Sequence, residues 1–181
     1  VDAVASGHIV GQLTAPQSIN ELVSVGLIRQ QTDWMVEMLG DPATTGLIIT
    51  ATPEEMPVNE TIELAQRLRT ETNVDLAAVV VNRVLPELFG RREEELFDAL
   101  NTAERRADIA DAAGGGGVDH LMEAASLAVA LRRGSAEHLE RLRAELDRSI
   151  PMLYVPYLFL RGHGMRATRM VASALSAELG H

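Results

Sequence analysis

The 181 residues contain no cysteine and no lysine, so all sixteen basic side chains are arginines, set against 26 acids for a formal net charge of -10. The lack of cysteine excludes disulfides, thiol nucleophiles and thiolate zinc sites. The lack of a basic patch interleaved with aromatics argues against a nucleic-acid partner, because phosphate neutralisation drives that binding. Aromatics are only 3% of the chain, so its core has to be built from Leu, Val, Ile, Ala and Met. No apolar run approaches the ~20 residues that span a bilayer, which argues against an integral membrane protein. The first residues lack the basic-then-apolar order of a signal peptide, so a cytoplasmic location is the expectation. There is also no Gly-x-x-x-x-Gly-Lys-Ser/Thr loop, the segment that cradles nucleotide phosphates. His8, His120, His138, His163 and His181 are too scattered for metal-ligand spacing. The abundance of alanine and arginine suggests a GC-rich genome.

What is present points to an α/β fold. Gly46 to Thr52, Leu76 to Val81 and Met152 to Val155 are short apolar runs without alternation, the pattern of strands buried on both faces of a parallel sheet. Between the first two, Ile62, Ala65 and Leu68 share a helical face, with Asn59 as an expected N-cap. Strand, helix and strand make a βαβ unit. After the third strand, Ala167, Val171, Ala174 and Leu175 predict a helix over Met165 to Leu179. Two stretches break the alternation. Ser18 to Leu39 is helical by pattern, and Glu93 to Arg148 holds two or three helices without a strand. Gly114 to Gly117 interrupts the second stretch, since four glycines cannot hold a helix. A helix from about Val118 to Arg133 is expected to break at Gly134, with Ser135 capping the next.

The opening residues, Val1 to His8, are expected to be the last step of a buried strand, an acid, and a small-residue loop ending in Gly7-His8. Ligands bind at such carboxyl-edge loops of parallel sheets. Asp2 has the place of an acid that orients magnesium or its water, and Ser6-Gly7 offers backbone N–H groups to an anion. A strand-end Asp and a turn glycine is the plainer alternative. Asn82-Arg83 ends the second strand, where an Asn amide can meet a purine edge or simply form a turn. Val155-Pro156-Tyr157 ends the third, followed by Leu158-Phe159 and Arg161-Gly162. Gly162-His163-Gly164 is a turn before the last helix.

Taken in order, these pieces resemble the second half of the ArsA-like ATPases, the arsenite-transporting and tail-anchored-protein-targeting family. Asp2, Ser6, Gly7, His8, Leu13 and Pro16 fall where that family has its switch II signature. Pro53-Glu54, Glu60-Thr61, Val80-Val81-Asn82, Val155-Pro156-Tyr157-Leu158 and Arg161-Gly162 match its later elements. Departures are Ala3, Val4 and Ala5 in the switch, a shortened adenine loop lacking the family's acid, and no paired-cysteine zinc motif. The likeness is nearest to bacterial, actinobacterial members.

The resemblance implies a three-layer, mostly parallel sheet of the P-loop NTPase type, here without its N-terminal half, plus a helical lobe. Residues 1–17 would be the switch II region, 18–41 and 90–148 the lobe, and 46–83 and 150–181 the sheet with its adenine-side loops. It also implies ATP and Mg²⁺ as cofactors of a longer parent. Asp2 would be the magnesium-side acid, Gly7 the γ-phosphate sensor and His8 the relay to the helices. Asn82 and Arg83 with Val155, Pro156 and Tyr157 would hold adenine. A second subunit, identical or paralogous, would pair across ATP. Trp34, Met35, Met38 and Met122 would suit apolar cargo on the lobe. The phosphate loop is expected upstream of Val1, so these 181 residues alone should be inactive. The alternative is a nucleotide-free binding or scaffold subunit that keeps the sheet.

Overall fold

The computed structural model describes residues 1–3, 6–87, 90–114, 117–160 and 164–180. It holds α1 (Ser6–Leu22), α2 (Leu27–Gly40), β1 (Leu47–Ala51), α3 (Glu55–Glu71), β2 (Leu76–Val84), α4 (Arg91–Leu100), α5 (Ala103–Ala112), α6 (Val118–Glu145), β3 (Met152–Pro156) and α7 (Met165–Glu178). The α/β expectation holds. All three apolar runs are strands, and they pair in parallel in the order β1-β2-β3.

The chain divides into two compact units, Val1–Val84 with His138–His181, and Leu85–Glu137. The first carries the sheet. Register places Ile49, Val79, Val81 and Met152 on one face, where they join Ile9 and Val10 of α1, Val58, Leu64 and Leu68 of α3, and Leu142 and Leu146 of α6 in one core. Val58, Val79, Val81 and Leu142 are fully buried. Each such side chain contributes roughly 1.5–3 kcal/mol through removal of its surface from water. The opposite face is thinly covered. α7 lies against β3, while Ile48 on β1 is 58% exposed.

Several boundaries differ from the sequence reading. Val1–Ala3 form no strand and join none of the three that pair in the sheet. Ser6, Gly7 and His8 open α1 rather than closing a loop, because Ile9, Val10 and Leu13 are helically spaced and pack into the core. The helix expected over Ser18 to Leu39 is two helices, broken at Val23–Gly26, where Gly26 takes φ 105°. Asn59 lies inside α3, whose N-cap is Glu54. Pro57 is tolerated there because the first-turn N–H it lacks has no helical partner anyway.

α1 and α2 pack against each other through a polar junction. Thr32, 5% exposed, donates to Asn20 Oδ1, and Asn20 Nδ2 donates to Asp33 Oδ1 at 2.7 Å. Arg29 donates to the Asn20 carbonyl at 2.6 Å and pairs with Asp33 at 2.9 Å. Buried polar atoms are costly unless paired, so this closed set fixes the pairing of the two helices. By contact, residues 18–41 belong with the sheet-bearing unit.

The second unit holds α4, α5 and most of α6. Arg133 of α6 reaches Glu94 at 3.2 Å and Asp98 at 2.7 Å on α4. Asn101 joins the set, donating to Ser126 Oγ at 3.1 Å and accepting from Arg106 Nε at 2.9 Å. Gly134 does not break α6, which runs unbroken through Ser135. One glycine costs a helix interior only about 1 kcal/mol, less than the flanking Ala, Leu, Arg and Glu residues supply over 28 positions. Met122 is buried in this unit at 9% exposure, so it is core and not an adaptable surface.

Candidate functional site

Adjacent parallel strands end together at their carboxyl edge, where open α/β sheets bind ligands. β2 and β3 do so here. Val84 pairs with Pro156, and the Tyr157 N–H donates to the Val84 carbonyl at 2.8 Å. The structure therefore sets Asn82 and Arg83 beside Val155, Pro156 and Tyr157, all five expected to share one site. Asn82 is half-buried, Val155 buried, and Arg83, Pro156 and Tyr157 are exposed. The register breaks between Val81 and Val84, which places an extra residue on β2 against β3.

Two features of this edge were not legible in the sequence. Arg83 sits at φ 59°, the one non-glycine residue with positive φ among the described residues, and its N–H donates to Asn82 Oδ1 at 2.8 Å. The Tyr157 and Phe159 rings meet with centroids 4.8 Å apart, tilted by 55°, and both are exposed, at 41% and 70%. The Tyr-x-Phe spacing was the available signal for the second.

Asp2, Gly7 and His8 form the other expected group. Asp2 is exposed ahead of α1, and Gly7 and His8 are exposed in its first turn. First-turn N–H groups of a helix lack intrahelical partners and favour anions, so backbone donors remain at Gly7 and His8 although the loop does not. Among the described residues, no hydrogen bond or ion pair links Asp2, Gly7 or His8 to the β2–β3 edge. Val4, Ala5, Arg161, Gly162, His163 and His181, with the middle of the glycine run, lie outside the described residues. Of the residues between strands, Pro53 is buried and Thr61, 3% exposed, donates to the Pro57 carbonyl at 2.8 Å. Thr61 is thus structural.

A cleft of about 460 Å³ opens at the opposite, amino-terminal edge, lined by Arg69, Asp75, Asp147 and Ser149 among others. Asp147 there accepts from the Ser149 N–H and hydroxyl. Its polar groups serve the α6–β3 connection, and the carboxyl edge is the better candidate on topology.

The sequence model of the anion-transporting ATPases matches residues 7–106. This chain belongs to the anion-transporting ATPase family. It is 28% identical over 163 residues to the ATPase BagA of Mycobacterium tuberculosis, and equally to a Mycobacterium bovis protein named as an ATPase. The match covers 88% of this chain and 46% of each relative, so the chain spans about half the length of these curated relatives. Both organisms are actinobacteria, the group to which the sequence resemblance pointed. The family match runs from the first turn of α1 through the end of β2 and into α5. It therefore includes Gly7, His8, Asn82 and Arg83.

The β2–β3 edge offers the exposed rings of Tyr157 and Phe159, the Asn82 amide and the exposed Arg83, groups on which a planar heterocycle can stack and to which it can bond. For magnesium the chain offers one carboxylate, Asp2, at its candidate place, and no cluster of three ligating side chains occurs among the described residues.

Proposed function

We propose that this chain is the base-side portion of an ATPase that couples ATP binding and hydrolysis to the handling of a cargo. The observation that carries the proposal is the shared carboxyl edge of β2 and β3. There Asn82, Arg83, Val155, Pro156 and Tyr157 converge in a chain of the anion-transporting ATPase family. In this reading adenine lies against Pro156 and Tyr157, and Asn82 fixes its edge. Asp2 serves the magnesium side, Gly7 senses the γ-phosphate, and His8 passes its position into α1. Mg²⁺ with the triphosphate would supply charge neutralisation at the reacting phosphorus. The chain's own groups bind and orient.

A second subunit, identical or paralogous, belongs to this proposal, as does apolar cargo. Exposed Leu96, Leu121, Leu127 and Leu131 in the helical unit, and Trp34 on α2, support an apolar docking role.

With no lysine-bearing phosphate loop among its 181 residues, the chain alone is expected to hydrolyse no ATP, and turnover by the purified chain would refute this. As part of a longer protein that carries a phosphate loop, it is expected to bind ATP tightly and only with magnesium, measured by calorimetry. Failure of that longer protein to bind nucleotide would leave the scaffold reading, which Ala5 in the switch and the altered adenine loop motivate.

A further inference from the structure

The chain holds 26 acids against 16 arginines, so an arginine here has carboxylates in plenty to pair with. Arg29 pairs with Asp33, Arg67 with Glu71, and Arg133 with Glu94 and Asp98. Arg143 and Arg148 make no hydrogen bond or ion pair among the described residues. Both line one groove of about 680 Å³, formed by the end of α6, the connection beyond it and Tyr154 of β3. Small-molecule sites run from roughly 300 to 1,000 Å³.

The groove has a fixed apolar floor and a charged rim. Leu139 and Tyr154 are half-buried and pack against the core while lining the groove. Glu140, Arg143 and Ala144 are exposed beside them, brought to one face of α6 by helical spacing. Arg148 stands in a turn closed on both sides of it. The Ser149 N–H and hydroxyl donate to Asp147 Oδ1 at 2.9 and 2.8 Å, and the Ile150 N–H donates to the Asp147 carbonyl at 3.1 Å. The negative end of α6 accounts for a cation at Arg143, in its last turn. It does not account for Arg148, which lies beyond the helix. Glu140 is the one acid lining the groove, so two cations face one anion in a chain whose net charge is -10. The nearby carboxylate of Glu178 is engaged by the Tyr154 N–H at 3.2 Å.

We infer that this groove is a binding site for a small aromatic phosphate. The two guanidiniums take the phosphoryl oxygens, the geometry for which arginine forks are suited. The ring of the ligand lies on Tyr154 and Leu139. Two cations match a phosphoryl group near its double charge better than a single carboxylate. The site shares no residue with the β2–β3 carboxyl edge and is independent of the base-site reading.

The test uses the 181-residue chain with phenyl phosphate as the probe, titrated by saturation-transfer NMR, with melting temperatures as the check on folding. Arg143→Gln and Arg148→Gln are each expected to weaken binding about fivefold, the effect of one lost hydrogen-bonding contact, with unchanged melting. Glu140→Gln removes the repelling charge and is expected to strengthen it. Arg105→Gln on α5 alters the net charge as the groove variants do and is expected to bind like wild type. Methyl phosphate, which lacks the ring, and benzoate, which carries a single charge, are expected to bind more weakly than phenyl phosphate. Wild-type affinity in both groove variants would place the probe elsewhere and overturn the proposal. An equal loss in Arg105→Gln would overturn it by showing diffuse attraction to cations. Binding of methyl phosphate or benzoate as tight as that of phenyl phosphate would overturn the assignment of an aromatic phosphate.

Discussion

Asp147 lies two residues beyond α6, and its Oδ1 accepts from the Ser149 N–H at 2.9 Å and the Ser149 hydroxyl at 2.8 Å. The backbone N–H first, then the hydroxyl, then the charge of Arg69 hold its carboxyl below the ordinary value. Asp41, past the end of α2, is lowered in the same way by the Thr44 hydroxyl and the Ala43 N–H. A carboxyl whose folded pKa lies below its unfolded one stabilises the fold fully above the unfolded value, near 4. It loses that contribution as the pH falls through the folded value. Acidification below about pH 4 is therefore expected to release the connection between α6 and β3. Asp147→Asn keeps an oxygen acceptor for Ser149 but cannot titrate. Its melting temperature should fall less steeply between pH 4 and pH 2 than that of wild type, and parallel curves would show that Asp147 contributes nothing to acid stability.

At the scale of elements, α6 carries the clearest prediction. Gly134 lies inside a 28-residue helix, and a Cβ built there meets no atom within 4 Å. Gly134→Ala removes backbone freedom from the unfolded chain and adds no clash, so it is expected to stabilise by roughly 0.5–1 kcal/mol. In a chain of this size that raises the melting temperature by a few degrees, about 2–4 °C per kcal/mol. An unchanged or lower value would mean that α6 bends at this residue in solution. The same glycine shows what the sequence conveys and what it withholds. The strands were legible because Leu47–Ala51, Leu76–Val81 and Met152–Val155 have no polar face to misassign. The meeting of Asn82 with Pro156 and Tyr157 was implied by the family resemblance rather than by the residues, since the βαβ unit legible in the sequence joins only β1 and β2. Gly134 misled because a local breaker was weighed against no sum of neighbouring propensities. The loop expected at Gly7-His8 failed for the converse reason. Its small residues look turn-like, and the packing of Ile9 and Val10 that makes them helical is a tertiary fact. The φ of Arg83 is tertiary as well, set by the bulge and the Asn82 amide, and no residue type announces it.

For the whole molecule the decisive feature is the unequal treatment of the sheet's two edges. On β3 the Tyr154 N–H donates to Glu178 of α7 at 3.2 Å, so a side chain closes part of that edge. β1 has only β2 beside it among the described residues, and Ile48 stands 58% exposed on it. An open, apolar edge is a template for another strand. Opposing this is the net charge of -10, which repels like copies over a distance set by salt, about 10 Å at 0.1 M. Repulsion is screened by salt while strand pairing and apolar burial are not, so the two effects separate in a titration. The 181-residue chain is expected to be monomeric when dilute at low ionic strength and to associate as protein and salt concentrations rise, followed by light scattering. Ile48→Lys places a charge on the open strand, the device by which natural edges avoid pairing, and should hold the chain at monomer mass throughout. A surface-charge change elsewhere, such as Glu63→Gln on α3, lowers the net negative charge equally and serves as the control. If both variants suppress association alike, or if the wild type stays monomeric at high salt, β1 is not the adhesive edge. The exposed leucines of the helical unit would then be the place to look for contacts between copies.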